Sequence, residues 1–436
     1  MTTTEKREPF PTMAALELTY GCNHSCLFCS NPWKTKPKST YPIGKELTTE
    51  EWIQMVTRLA KLGVNNFCLT GGEPTLHNGF GKIVRQLLEK TEWFDYVRLR
   101  PRPVDVSVLT NGDTDVWIKD EELCSLMATK PKDVAVKSVS VALHGGPERH
   151  RQVTGGASIE RTLETMRTLV ARGVTVFANI VIGGGDGSRD ESSAIADAEQ
   201  AARLAAEAGV FNLVIMRPLA TGRAAGEGAK DFVKLSSDAV QRALRAVSRV
   251  AAPHGGTVTL ACCTPKCVVP DDSEIESLVV PRSCGCGKDT ICIDPAGLVR
   301  PCTTSDVIGG SAIIATGSGS GPGPGPADAT VIVDDDSDPA TLAVFSHQIK
   351  AFVSSAKKGE RPPICQACPH KEECTAGCPS AHVDCVSGGR CDPLVLTVKK
   401  APSIIPVPVA ASVAVAPPAS ETAPSTTSSL ATPHSS

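Results

Sequence analysis

Three cysteines on one short stretch are the residues of this 436-residue chain that point most directly to chemistry. Cys22, Cys26 and Cys29 stand in C-x3-C-x2-C spacing, directly after the apolar run ALELTY (15–20) and Gly21. Three thiolates on one loop can hold three corners of a [4Fe-4S] cluster, which is a cysteine-ligated centre. No fourth cysteine follows on the loop, so one iron is left open for a substrate or cofactor, as catalytic zinc sites keep one position open. The bland alternative is a zinc knuckle, or three incidental cysteines. Against it stand the strand that runs into the loop, since ligands bind at the carboxyl ends of parallel strands, and the aromatic Phe28 beside the last cysteine. One strand further on, NNFCLT (65–70) ends in Thr70-Gly71-Gly72-Glu73-Pro74. Glycines after a strand let the backbone approach a ligand, and strand-end polar groups can bind it. Alone this would be an ordinary turn.

A second field of cysteines fills the C-terminal half. Cys365, Cys368, Cys374 and Cys378 are spaced C-x2-C-x5-C-x3-C, and Cys286 is followed by ten residues, Gly297, four residues and Cys302. Cys284, Cys292, Cys385 and Cys391 complete a set of ten candidates. Two clusters with only cysteine ligands take four thiolates each, so the supply is sufficient. A pair of zinc sites is the alternative, because C-x2-C pairs also bind zinc. Cys68 in a strand and Cys124 on a helical stretch read as small core residues. The patch ACCTPKC, with Cys262, Cys263 and Cys267, reads as a lid, a spare source of ligands or a redox-labile loop, and the bland reading is preferred.

The elements that must position these groups alternate. VDVSVLT (104–110), VKSVSVAL (136–143), TVFANIVI (175–182) and FNLVIM (211–216) are strand patterns, after 15–20 and 65–70. Helical patterns lie at 48–63, near 80–91 and 120–129, and at 157–172, 190–208 and 236–252. Thr48 and Glu51 have capping-box spacing and Gly63 is a stop. Six strands alternating with helices predict a parallel α/β sheet, open or curled. Residues 309–339 carry a Gly-Ser-Pro core and read as a flexible loop, and the Pro/Ala/Ser/Thr-rich 394–436 as a disordered tail.

At the first cysteine loop and GGEP the chain resembles the radical S-adenosylmethionine (radical SAM) superfamily. That resemblance implies an α/β core, a partial (β/α)6 TIM-like barrel over 15–225, after an N-terminal extension 1–14. It implies a [4Fe-4S] cluster on Cys22, Cys26 and Cys29 that binds SAM, with Gly71, Gly72, Glu73 and Pro74 at the methionine end. Thr110-Asn111-Gly112 is similar to the family's TNG turn near the ribose. Where many relatives read SLDG this chain has Ala142-Leu143-His144-Gly145, so Ser140, Arg151 or Thr154 is expected to substitute. Met216 stands where the family lines the adenine and substrate side. His144 reads as a packed histidine, with proton carriage the sharper alternative. The second field resembles the SPASM domain, here 284–393 after a bridging helical region 226–283. SPASM domains usually hold two auxiliary [4Fe-4S] clusters with interleaved ligands. The nearer cluster would take Cys284 or Cys286, then Cys292, Cys302 and Cys378. The outer one would take Cys365, Cys368, Cys374 and either Cys385 or Cys391.

The implied activity is reductive cleavage of SAM to a 5′-deoxyadenosyl radical that abstracts hydrogen from substrate. The expected substrate is a ribosomally made peptide or protein, cross-linked or oxidised at a side chain. Cys29-Ser30-Asn31-Pro32 is close to the corresponding stretch of the pyrroloquinoline-quinone peptide maturases. A flavodoxin or ferredoxin would donate electrons. The core begins within the first twenty residues, so a separate leader-peptide recognition protein is expected. Sulfatase-maturing and haem-pathway members of the same class are alternatives; the former carry Asp where Thr303 follows Cys302. A non-catalytic zinc or cluster scaffold is the alternative from another class. Lys plus Arg is 44 against 47 Asp plus Glu, a formal charge of −3, which argues against nucleic acid as partner. No apolar run approaches the roughly 20 residues of a membrane span, and MTTTEKREPFPTM has no signal-peptide core. A cytoplasmic location follows as an expectation, and with it free rather than disulfide-bonded cysteines among the 18.

Overall fold

The alternating pattern folds into one mostly parallel sheet wrapped in helices. The computed structural model describes residues 11–34, 41–130, 134–183, 190–226, 235–270, 275 and 277–308. It also describes the short stretches 310–313, 330–332, 363–366, 368–370, 374, 377–378, 383–384 and 390–391. The expected tail, most of the 309–339 loop and Cys385 lie outside the described residues.

The core strands are β1 (Met13–Glu17), β2 (Asn66–Thr70), β3 (Asp105–Thr110), β4 (Lys137–Ala142), β5 (Val176–Val181) and β6 (Asn212–Met216). They lie side by side in sequence order and pair in parallel throughout. The helices between them are α1 (Thr49–Lys61), α2 (Phe80–Arg85), α3 (Val116–Lys119), α4 (Glu121–Met127), α5 (Pro147–Thr154), α6 (Ile159–Ala171) and α7 (Glu191–Glu207). Parallel strands need such crossovers, and the helices cover one face of the sheet. Helix α1 buries Trp52, Met55, Val56, Leu59 and Ala60, the i, i+3, i+4, i+7 stripe of an amphipathic helix. Its capping box forms: the Thr48 hydroxyl accepts from Glu51 N (3.2 Å) and the Glu51 carboxylate from Thr48 N (2.6 Å).

Strand parity divides the two faces. Val106, Val108, Val139, Val141, Ala178 and Ile180 are at most 1% exposed and belong to the main hydrophobic core. The alternate residues, including Leu109, Ser140, Asn179 and Val181, line a cavity on the other face. The sheet curls around it. Arg223 N, after β6, donates to the Cys29 carbonyl, after β1, at 2.8 Å.

The sheet continues past both ends of the six strands. Helix α8 (Ser237–Ala251) leads to β7 (Val258–Leu260), parallel to β6, and β8 (Leu278–Val279) follows at the edge. At the other edge β9 (Thr290–Ile293) pairs in parallel with β1. Strands β10 (Leu298–Arg300), β11 (Gly310–Ile313) and β12 (Thr330–Ile332) extend that side. The boundary expected near 283 therefore falls inside one twelve-stranded sheet, and the bridging region supplies strands as well as a helix. Two further elements were not foreseen. Helix α5 has Pro147 in its first turn and Gly155 in the left-handed region (φ +80°) as its stop. A hairpin, Glu92–Asp95 with Arg100–Pro103, projects from the α2–β3 crossover. Its prolines mask a strand pattern because proline lacks a ladder donor.

Candidate cluster and cofactor site

Strand β1 ends at Glu17, and the chain then turns across the carboxyl edge of the sheet. The cysteine loop is held there by backbone contacts from three sides. From the β2 side, Gly72 N donates to the Thr19 carbonyl (2.7 Å) and Glu73 N to the Gly21 carbonyl (2.8 Å). The approach is too close for any side chain: a Cβ on Gly72 would lie 1.9 Å from the Gly21 oxygen. From α5, the Thr154 and Val153 carbonyls accept from Ser25 N and Leu27 N, both at 2.8 Å. From the turn after β6, Arg223 Nη1 donates to the Cys26 carbonyl at 2.8 Å. His24 N lies 3.4 Å from Cys22 Sγ, a donor aimed at the sulfur. Burial pushes all three thiols above their ordinary pKa. Loading a metal there releases protons, and a cation on the sulfurs reverses the shift.

The three thiols open on a cavity of about 210 Å³. Among its lining residues are Thr70, Gly71, Gly72 and Glu73 from the β2 end, Thr110 and Asn111 from β3, Ser140 from β4, Asn179 from β5 and Met216 from β6. Among the described residues, the buried Ser140 Oγ, Asn179 Oδ1 and His150 Nε2 on this wall have no hydrogen-bond partner. Buried polar atoms are ordinarily paired, so these three suit a polar ligand. The glycine cradle, the three thiols and these orphaned atoms together fit a [4Fe-4S] cluster with SAM beside it.

Glu73 does not point freely into the cavity. It is 1% exposed, and it accepts from Thr75 N (3.2 Å), Thr75 Oγ1 (2.6 Å), Thr110 Oγ1 (2.8 Å) and Asn111 N (2.7 Å). Burial pushes its carboxyl up and these donors pull it back. Glu73 thus ties the β2 and β3 ends together, leaving the glycine backbone to meet a ligand. Pro74 is buried at the start of the turn Pro74–Leu76. Arg151 departs from expectation. Its guanidinium pairs with Glu148 at 3.0 Å, 59% exposed, and it is not among the residues lining the cavity. The inner face of α5 is occupied instead by His150, Val153 and Thr154. His144 is 4% exposed and stacks on His150 (5.8 Å between centroids) with Phe28 at its edge. Its Nδ1 accepts from Val181 N (3.3 Å). Burial holds both imidazoles neutral, His150 at about 4. Asn179 was missed by sequence reasoning; an amide in the middle of an apolar strand, on the inward parity, was the signal.

The second field sits beside this site. Arg300, wholly buried, pairs with the Glu17 carboxylate and donates to the carbonyls of Ser305 (2.6 Å) and Thr303 (3.1 Å). Burial raises the Glu17 carboxyl to about 7 even against the pull of Arg300. Arg300 thereby shapes the 302–305 turn, and Thr304 from that turn lines the cavity. Cys302 Sγ is 3.2 Å from Thr304 Oγ1. The neighbouring Cys284 and Cys302 thiols push that of Cys286 upward. Cys378 is buried against Cys263, with Cys284 packed beside them. Cys292 is placed differently from its expected ligand role. It lies in β9, packed with Ala15 and Cys68, and its sulfur takes a hydrogen bond from Arg300 Nη2 at 3.4 Å. Cys365 lies on the short helix Pro363–Gln366, Cys368 and Cys374 follow it, and Cys391 lies on the strand Arg390–Cys391. Cys68 and Cys124 are buried core residues. Among the described residues no three Cys, His, Asp or Glu side chains converge as one metal ion requires. A cluster takes its thiolates at separate irons and asks for a wider ring.

Residues 16–198 match the Radical SAM superfamily. The chain is 30% identical over 160 residues to a probable GTP 3′,8-cyclase of Thermococcus kodakarensis, 36% of this chain and 44% of that protein. It is 29% identical over 215 residues to the sporulation killing factor maturation protein SkfB of Bacillus subtilis, 49% of this chain and 44% of that protein. The matches thus span less than half the length of these relatives. The solved structure of native anSMEcpe with bound AdoMet and Cp18Cys peptide superposes with a TM-score of 0.56 at 14% identity, covering 89% of this chain and 95% of that one. That likeness shows a shared fold.

Proposed function

Residues 16–198 match the radical SAM superfamily, and from that premise we propose that the chain is a radical SAM maturase that modifies a ribosomally made peptide or protein. The family's cofactors, a [4Fe-4S] cluster and SAM, supply when bound a 5′-deoxyadenosyl radical able to take hydrogen from an unactivated C–H bond. Cys22, Cys26 and Cys29 would hold the cluster. The backbone of Gly71 and Gly72, with Ser140, Asn179 and Met216, would hold SAM. Glu73 orients the β2 and β3 ends around it. The apolar Phe28, Leu109 and Val181 on the same wall exclude water from the reacting centre.

The observation that carries the peptide reading is the shared wall. Thr304, two residues from Cys302, lines the same cavity as the first three cysteines. A substrate bound there would lie between the first cluster and a C-terminal cysteine field able to hold auxiliary clusters. Those clusters could accept the electron left when a product radical is oxidised. The 29% identity to a maturation protein supports the same reading. A second reading, a nucleotide cyclase, is favoured by the 30% match to a GTP 3′,8-cyclase. The test is 5′-deoxyadenosine formation with dithionite, alone and with added GTP or with candidate precursor peptides. Stimulation by a peptide, with a mass change in it, supports the maturase; stimulation by GTP alone overturns it.

A further inference from the structure

The side chains of α5 nearest the end of β4 are unequally committed. Arg151 points outward to Glu148. The Thr154 hydroxyl donates to the His150 carbonyl (2.6 Å) and accepts from Ala157 N (3.2 Å), so its one proton is already used. Neither side chain offers a donor to the cavity. His150 does: it is wholly buried and lines the cavity wall. Its Nδ1 accepts from His144 N at 3.3 Å. A ring nitrogen that accepts carries no proton, so this contact places the proton of the neutral ring on Nε2. His144 is locked in the same sense by Val181 N and lies nearly parallel to His150, with 15° between the ring planes. Among the described residues nothing pairs with His150 Nε2. A buried N–H is ordinarily paired, so this one calls for an acceptor.

We propose that His150 Nε2–H holds the carboxylate of SAM, as a neutral donor in the place where Arg151 or Thr154 was expected. The inference rests on the reading of this cavity as a SAM site. Its position carries it. One turn after His150, the Val153 and Thr154 carbonyls accept from Leu27 N and Ser25 N of the cysteine loop, so this part of α5 borders the first cluster. The ring of His24, which lies between Cys22 and Cys26, stands 6.4 Å from that of His150. The amino-acid end of SAM is the end that meets the open iron, and its carboxylate therefore lies on this side of the cavity. A carboxylate only accepts, which matches a nitrogen that can only donate. The ammonium group of SAM offers no acceptor. A ring already fixed by stacking and a backbone hydrogen bond loses little freedom when the ligand arrives, which favours binding.

Anaerobic calorimetry of SAM binding to the reconstituted, unreduced chain reads this contact without turnover. His150→Phe keeps a ring and removes the donor, while His150→Gln can return an amide N–H near the Nε2 position. SAM affinity is expected to fall about 10- to 100-fold in His150→Phe and to recover in His150→Gln, with iron content unchanged. Decarboxylated SAM is the second probe, and wild type and His150→Phe are expected to bind it equally. A His150→Phe chain that binds SAM within about threefold of wild type would overturn the assignment. Equal losses for SAM and decarboxylated SAM would also overturn it, because the donor would then serve another part of the ligand. Far-UV circular dichroism checks folding, and lost iron or an altered spectrum in both variants would make His150 a packing residue and end the proposal. A wild-type chain that carries its first cluster yet binds no SAM overturns the SAM reading of the cavity itself, independently of any change at His150.

Discussion

Replacing Gly72 by alanine adds one methyl group at the tightest contact of the site. Its Cβ would stand 1.9 Å from the Gly21 oxygen and 2.5 Å from the Gly21 carbonyl carbon, where real contacts do not fall below 3.0 Å. Both partners are backbone, so no side chain can swing away, and the two loops must part by about 1 Å. Overpacking of this kind costs about 1–3 kcal/mol. The larger effect is on geometry, because Gly21 leads directly into Cys22. A misplacement of about 1 Å at a reacting centre can cost on the order of 100-fold in rate. We therefore expect Gly72→Ala to form 5′-deoxyadenosine about 100-fold more slowly than wild type. Its circular dichroism should remain native, because α1 and the β2 core lie outside the contact. Gly156→Ala is the control, since a Cβ there meets nothing within 4 Å although its φ of +112° strains any side chain. The assay is anaerobic turnover with dithionite, read by chromatography, with iron content measured in parallel. A Gly72→Ala rate within threefold of wild type would refute the argument that backbone contact sets the cysteine loop.

Other consequences follow from particular residues. His150 has a folded pKa of about 4 against 6.5, so the unfolded chain binds more protons between those values. The stability this contributes is present above pH 6.5 and is lost as pH falls towards 4, amounting to about 2 kcal/mol between pH 8 and pH 5. Urea midpoints of the apo chain should show it, and His150→Phe should flatten the dependence. Arg300→Met leaves the Glu17 carboxylate buried without its cation and should destabilise the chain by about 3–5 kcal/mol, seen as a lowered melting temperature. Asn179→Ala removes an unpartnered acceptor from the cavity wall and should weaken SAM binding about tenfold by calorimetry, with cluster content unchanged.

Much of this site could be read from residue order alone. The six core strands and their helices follow the alternation of apolar runs, and Thr48 caps α1 through Glu51 as its spacing implied. The cysteine loop and GGEP were visible because their spacing is local. What escaped depends on parity and long-range approach. Asn179 is inward only because β5 pairs with β4 in a register that sets Ala142 opposite it. Arg151 was expected at the ligand because it stands near the β4 end, yet α5 turns it outward to Glu148. Nor does spacing reveal that Arg300 joins β10 to Glu17 on β1, which brings Thr304 to the cavity. The loop 262–267 carried no motif, and only folding sets Cys263 against Cys378, more than a hundred residues away.

The central claim is that three cysteines leave one iron open beside a cavity made for SAM. Electron paramagnetic resonance of the dithionite-reduced chain tests it most directly, before and after addition of SAM. The account predicts a reduced-cluster signal that changes shape when SAM binds and is missing from the Cys22→Ala, Cys26→Ala, Cys29→Ala variant. A signal from this cluster that SAM leaves unchanged would contradict it.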